Sequence, residues 1–240
     1  MEKYFKTNPT HFSLRNGKRV PSQLCLSNEE VIELAISNLT ELIKKRPNLK
    51  YWSVSQMDNQ EFCECDKCQK IRKEEKSNSG SIIRFVNAIA KHFPDKIIAT
   101  LAYQYSRKPP TISKPLKNVL IVVSSIEADR SIPLDAVNQQ DEFRIDLNKW
   151  LQLTKNIMVW DYTINFQNIA APFPNLDVLK PNLRFLKKKH IKIIFGQGWH
   201  LEGGRLQEYR TYLLSKLLWN PDINVDSVKS NFFNGYYGHA

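Results

Sequence analysis

Val119-Leu120-Ile121-Val122-Val123 is an unbroken run of β-favouring apolar residues, and such a run reads as a strand covered on both faces. Shorter runs of the same character recur at residues 23–26, 51–55, 97–103, 157–162 and 191–196. Each is followed by a polar loop carrying carboxylates or aromatics, and amphipathic helical patterns separate most of them. About six repeats of strand, loop and helix describe a parallel α/β protein.

Helix signals punctuate the strands. Ser27-Asn28-Glu29-Glu30 has the form of a capping box, with Ser27 as N-cap and Glu30 reaching back. Ile32, Ile36, Leu39 and Ile43 then share a face before Lys44-Lys45-Arg46 and Pro47. Further helices are predicted over 79–93, 142–153, from an Asn175 cap to 187–189, over 206–219 behind Gly203-Gly204, and from an Asn224 cap toward Asn234-Gly235. Before the Val119 run, a proline-rich stretch at 108–115 replaces the helix. Residues 4–20 read as irregular chain, with Pro9 and Asn16-Gly17 as turn signals.

With 240 residues, 42% of them apolar, the chain is long enough for one large core, and a (β/α)8 barrel takes about 250 residues. No linker, low-complexity tract or long apolar span divides it, so a single TIM-barrel-like domain is expected, with no membrane span. About six strands where a barrel has eight predicts a partial barrel whose first units are missing. Met1-Glu2-Lys3-Tyr4 has no signal-peptide core. A periplasmic or extracellular location is nonetheless expected, with a cytoplasmic one the alternative.

The net charge of +11 invites a nucleic-acid reading, but the densest basic runs, 44–46 and 187–190, close helices, where cations complement the macrodipole. The carboxylates Asp58, Glu127, Asp161 and Glu202 instead follow strands. No nucleic-acid partner is expected, and no Walker or dinucleotide glycine pattern marks a phosphate site.

Cys63, Cys65 and Cys68 form Cys-x-Cys-x-x-Cys after the 51–55 strand, and the remaining cysteine, Cys25, sits in the strand before. Neighbouring strands would bring all four sulfurs together. A tetrahedral structural zinc site suits four thiolates; two disulfides or free buried thiols are the alternatives. A zinc ion held by four thiolates has no open position, so no catalytic cofactor is implied.

Asn8 through Leu14, Asn16-Gly17-Lys18-Arg19, Gln23-Leu24-Cys25-Leu26, the segment Ser53 through Asn59 with its cysteines, Trp160-Asp161-Tyr162, Leu217 through Pro221 and Gly235 through Gly238 together resemble a bacterial domain family of unassigned function. That family is grouped with TIM-barrel glycoside hydrolases. The resemblance spans almost the whole chain; it implies a barrel, a carbohydrate partner and further domains of a longer chain. Asn8-Pro9-Thr10 departs from the family's His-Pro-Glu.

In a parallel barrel the working residues lie at the C-terminal ends of strands. Those positions hold Gln56, Asp58, Asn59, Tyr103, Tyr105, Glu127, Trp160, Asp161, Tyr162, Asn165, Gln197 and Trp199. Amides and acids pair with hydroxyls, aromatic faces cover sugar rings, and two carboxyl groups divide acid and base or nucleophile roles. Asp161 and Asp58 are the first catalytic pair and Glu127 the reserve. Gln56, Asn59, Tyr103, Trp160, Tyr162, Asn165, Gln197 and Trp199 line the sugar. Plainer roles compete: Asp58 as a turn former, Glu127 as a partner of Arg130, Glu202 as a loop residue, the tryptophans as core, and His200 and His239 as solvated side chains. No Gly-x-Ser-x-Gly elbow or His-Glu-x-x-His occurs. A non-catalytic glycan-binding module and a zinc-stabilised interaction domain are the other classes consistent with these residues.

Overall fold

The computed structural model describes residues 2–136, 141–168, 171–198 and 206–238, and divides into two compact units. The first comprises Met1–Val123 with Asp146–Ile157, the second Ser124–Ile145 with Met158–Ala240.

The first unit opens with α1 (Glu2–Thr7) and then a hairpin of β1 (Phe12–Arg15) and β2 (Lys18–Leu24), paired antiparallel. The irregular chain expected here is therefore ordered. Its two-residue turn is Asn16-Gly17, both with positive φ (48° and 76°), the conformation that matches the twist of flanking strands. Proline masked the second strand in the sequence. Pro21 lies where the register slips, between the pairs Phe12↔Leu24 and Ser13↔Val20, so its missing N–H breaks no regular ladder. The apolar run at 23–26 is the end of this hairpin, which corrects the expectation of a parallel strand there. Cys25 follows β2, its N–H donating to His11 O at 2.8 Å.

α2 (Glu29–Lys45) starts one residue later than predicted. Asn28, not Ser27, caps it, accepting the Glu30 N–H at 2.9 Å. Ser27 turns its hydroxyl to the cysteines, and the Glu30 carboxylate meets His11 Nε2 at 2.6 Å instead of returning to the helix. β3 (Tyr51–Ser53), β4 (Ile97–Ala102) and β5 (Val119–Ser124) then pair in parallel, β3 with β4 and β4 with β5. All six residues of β5 are buried, as its composition requires. α4 (Ser79–Ala90) packs Ile82, Ile83, Phe85, Val86 and Ile89 into this core.

No apolar periodicity marks α3 (Asp66–Glu75), whose buried residues are Cys68 and Glu75. Glu75 is fully buried. Its carboxylate accepts from Arg84 Nε at 2.8 Å and from the backbone N–H groups of Ile112 and Ser113 at 2.9 and 3.0 Å. Burial pushes its pKa up, but these bonds and the Ser113 hydroxyl outweigh that and leave it below the usual carboxylate range. Glu75 thus supplies acceptors to the proline-rich stretch, which cannot satisfy its own backbone as a helix would. Gly80 makes room: a Cβ there would lie 2.2 Å from Glu75 Cγ.

α5 (Glu142–Leu153) carries Asp146 and Trp150 into the first unit, where Arg107 Nε donates to Asp146 at 2.9 Å and Trp150 Nε1 to Arg107 O at 2.7 Å. In the second unit β6 (Ile157–Tyr162) pairs in parallel with β7 (Ile193–Gln197). α6 (Leu176–Lys188) and α7 (Gln207–Trp219) contribute Leu179, Leu183, Leu186, Leu213 and Leu217 to its core, and α8 (Val225–Tyr237) adds Val228 and Phe232. Gly196 keeps β7 close to α7, since a Cβ there would meet Leu214 Cδ2 at 2.7 Å. Asn175 stands at the α6 N-cap but does not cap; its amide donates to Thr163 O at 2.9 Å and accepts from Arg210. Five strands thus run parallel to a neighbour among the described residues. As expected, Lys44-Lys45 and Lys187-Lys188 lie in the last turns of helices. Among the described residues no helix is long and apolar enough to cross a membrane.

Candidate functional site

In the second unit, Asp161 is the penultimate residue of β6 and is 8% exposed. Ser125, just past β5, donates its hydroxyl to Asp161 Oδ1 at 2.7 Å and accepts the Tyr162 N–H at 2.9 Å. Burial pushes the Asp161 pKa up, opposed by the Ser125 bond and by the positive charge of Arg130. Arg130 feels both Asp161 and Glu127, and desolvation lowers its own pKa. Its Nη2 donates to Ser125 O and Ile126 O, while its buried Nε has no hydrogen-bond partner among the described residues. The expected Glu127–Arg130 exchange is thus electrostatic, with the donated bonds going to carbonyls. The arrangement is a desolvated carboxyl group with a fixed serine and a nearby guanidinium, a setting suited to holding a proton for transfer.

The aromatic and amide positions around it divide. The Tyr162 ring lies 5.6 Å from Phe166 and 5.8 Å from the Arg130 guanidinium. Trp160 Nε1 donates to Gln197 Oε1 and its ring packs edge-on at 4.7 Å against Phe195, so these two predicted site residues are joined across β6 and β7. Asn165 forms a local turn, accepting the Gln167 N–H at 3.0 Å. Trp199, His200, Glu202, Gly203-Gly204 and His239 lie outside the described residues.

The remaining predicted residues belong to the first unit. Asp58 is exposed and accepts from Gln104 Nε2 at 3.4 Å; the same nitrogen donates to Tyr103 Oη at 2.8 Å. Gln56 accepts from Ser106 Oγ at 2.6 Å and donates to Tyr103 O at 3.1 Å. Asn59 donates to Ser22 O and accepts from Gln23 and from the Glu61 N–H. The amides of Gln56 and Asn59 are therefore committed to fixing the loop after β3.

The same unit gathers the four cysteines. The sulfurs of Cys25, Cys63, Cys65 and Cys68 all lie within 4.8 Å of one another, and none is in a disulfide. Cys25 Sγ is 3.6 Å from Cys65 Sγ and 4.0 Å from Cys68 Sγ. Ser27 Oγ approaches Cys68 at 3.1 Å, the Leu14 N–H donates to Cys63 at 3.4 Å, and Arg19 stands 3.9 Å from Cys63. Hydrogen bonds from its neighbours pull the Cys25 thiol well down, while the Cys63 thiol, facing that site, rises to about 11. The cluster thus favours one thiolate, at Cys25, with Cys63 and Cys68 pushed up by their bonds to it, and its donor set is that of a structural metal site. Ser27 and Ser125 are the contributors that sequence reasoning missed: a lone serine carries no spacing signal.

Solved structures similar to this chain include a Bacteroidetes-affiliated GH5 cellulase linked with a polysaccharide utilization locus, with 10% identity, TM-score 0.50, 93% of this chain covered and 71% of that one. A GH5-4 broad-specificity endoglucanase from Clostridium longisporum matches at 12% identity and TM-score 0.43, covering 80% and 63%, and a GH36 α-galactosidase from Geobacillus stearothermophilus at 9% and 0.43, covering 97% and 29%. The chain thus spans less than two thirds of the length of two of these three enzymes. The likeness to the cellulase speaks for the fold, which is α/β and TIM-barrel-like. No curated protein matches the chain. Residues 1–240 match throughout the family described as Domain of unknown function (DUF4838), and the chain belongs to that family.

Proposed function

We propose that this chain is a carbohydrate-active protein of the glycoside hydrolase type, acting on oligo- or polysaccharide with Asp161 as its acid. The observation that carries this reading is the buried Asp161 carboxyl at the end of β6, with its raised pKa and single serine donor. A carboxyl group at the C-terminal end of a barrel strand whose pKa is raised by burial is suited to protonate a departing glycosidic oxygen. Glu127, sharing the field of Arg130, is the second carboxyl. Tyr162, Trp160, Gln197, Asn165 and Trp199 supply sugar contacts, with Gln56, Asn59 and Tyr103 shaping the first unit's loop. The activities of the similar enzymes, cellulase, endoglucanase and α-galactosidase, support a glycan as substrate. A periplasmic or extracellular site of action goes with it.

The four thiols hold a structural zinc ion in this reading. Zinc–sulfur bonds of about 2.3 Å set sulfur–sulfur edges of about 3.8 Å. The separations of 3.6 and 4.0 Å match that edge.

The test is a glycan panel assayed for binding and turnover with the wild type, Asp161→Asn, Glu127→Gln and Asp58→Asn. Asp161→Asn should lose turnover by about 10²- to 10⁴-fold and keep binding, since the amide preserves shape without a transferable proton. Turnover unaffected by that change sinks the assignment of Asp161. Binding without turnover in the wild type points to a glycan-binding module, and neither one rejects the carbohydrate reading.

A further inference from the structure

The first unit encloses a partly open cavity of about 460 Å³ between the end of β2, the edge strand β3, α2 and α4. Leu26, Leu39, Ile82, Phe85 and Val86 make its walls apolar, and its volume falls in the range of about 300–1,000 Å³ usual for small-molecule sites. Such walls cannot satisfy the hydroxyls of a free sugar.

Arg72, Asn78 and Tyr105 are among the polar side chains that line this cavity without a hydrogen-bond or ion-pair partner among the described residues. Two of them, Arg72 and Tyr105, pack against the same ring. The Arg72 guanidinium lies 4.6 Å from the Phe62 ring centroid and the Tyr105 ring 5.2 Å from it. The opposite guanidinium against Phe62, Arg15, is already paired with Glu64 at 2.7 Å, so Arg72 is the cation left over at this end. Burial holds the Tyr105 hydroxyl neutral, so it acts as a donor. Tyr105 is half-buried in this apolar wall, where a tyrosine hydroxyl is free to take a ligand partner, and a guanidinium fork matches a carboxylate.

We propose that this cavity binds a small amphiphilic molecule with an apolar body and one carboxylate, the body between α2 and α4 and the carboxylate on Arg72 and Tyr105. This does not depend on the carbohydrate reading. Cys63 and Cys68 line the same cavity, so the four-thiol cluster helps define its wall.

The test is calorimetric titration of the full chain, at its measured metal content, with octanoate and with octanol as the uncharged probe. Octanoate should saturate at one per chain and bind about tenfold more tightly than octanol, the difference a charge-assisted bond supplies. Arg72→Gln should bring octanoate down to the level of octanol and leave octanol unchanged. Ala35→Phe, which fills the cavity from α2, should abolish both. Methyl resonances of Ile82 and Val86 should shift on titration of the wild type, a readout independent of any variant's folding. Absence of saturation, equal binding of the two probes, or shifts confined to residues away from the cavity overturns the proposal.

Discussion

Ser125 Oγ stands 2.7 Å from Asp161 Oδ1 while accepting the Tyr162 N–H at 2.9 Å. The amide occupies one lone pair of the serine, so its single hydrogen points at Oδ1. A proton taken up by Asp161 therefore resides on Oδ2, and the serine decides which oxygen of the acid presents it.

Ser125→Ala removes a bond to the charged form of Asp161, so the carboxyl pKa rises further. In turnover assays the limb on which activity is lost with rising pH should move upward with it. Carbon-13 NMR titration of the Asp161 carboxyl checks the same shift without substrate. An unmoved titration would mean that the serine only shapes the backbone.

Asp161 also makes a stability prediction of definite sign. A folded-state pKa raised above the unfolded value contributes stability that is present at low pH and lost as pH rises through the folded pKa. Asp161→Asn should therefore unfold at the same temperature as the wild type or higher at pH 7, the advantage disappearing in acid. Thermal scans from pH 4 to pH 8 measure it; a variant markedly less stable at neutral pH would contradict the desolvated carboxyl described above.

Glu75 behaves oppositely. Its lowered pKa contributes stability that is present above the unfolded value of about 4.3 and lost as pH falls through the folded pKa. Glu75→Gln should destabilise at pH 7 and flatten the acid limb of the stability curve. Glu75→Ala, which leaves two backbone N–H groups without their acceptor and Arg84 with only Glu74 and the Ser113 hydroxyl, should cost on the order of 3 kcal/mol by denaturant unfolding. Gly80→Ala should be comparably damaging, because its Cβ meets Glu75.

Protein purified without added metal should carry one zinc per chain, and Cys25→Ser or Cys68→Ser should reduce that stoichiometry and lower the unfolding temperature. An ion at 1,000 times its Kd stabilises by about 4 kcal/mol, and chelation should remove that increment. Four freely titrating thiols and no metal would refute the zinc reading.

Much of this was legible because apolar periodicity carries it. Val119 through Val123 and Ile157 through Tyr162 are strands where their composition places them, and α5 has the predicted bounds. Legibility failed where polar groups replace apolar contacts. The Ser27 capping box was misassigned because the cysteine cluster claims its hydroxyl. α3 escaped because the residues it buries are a cysteine and a glutamate. In the site, Asp161 was visible from its strand-end position, whereas Ser125 is one serine among many, distinguished only by the bonds that the fold brings to it.

α3 is fastened at both ends: Cys65 and Cys68 tie its start to the residues after β2, and Glu75 ties its finish to the proline-rich stretch. A ten-residue helix without an apolar stripe does not persist alone in water. Its backbone amides should therefore open and close together, exchanging with solvent as one cooperative segment whose protection reports both anchors at once.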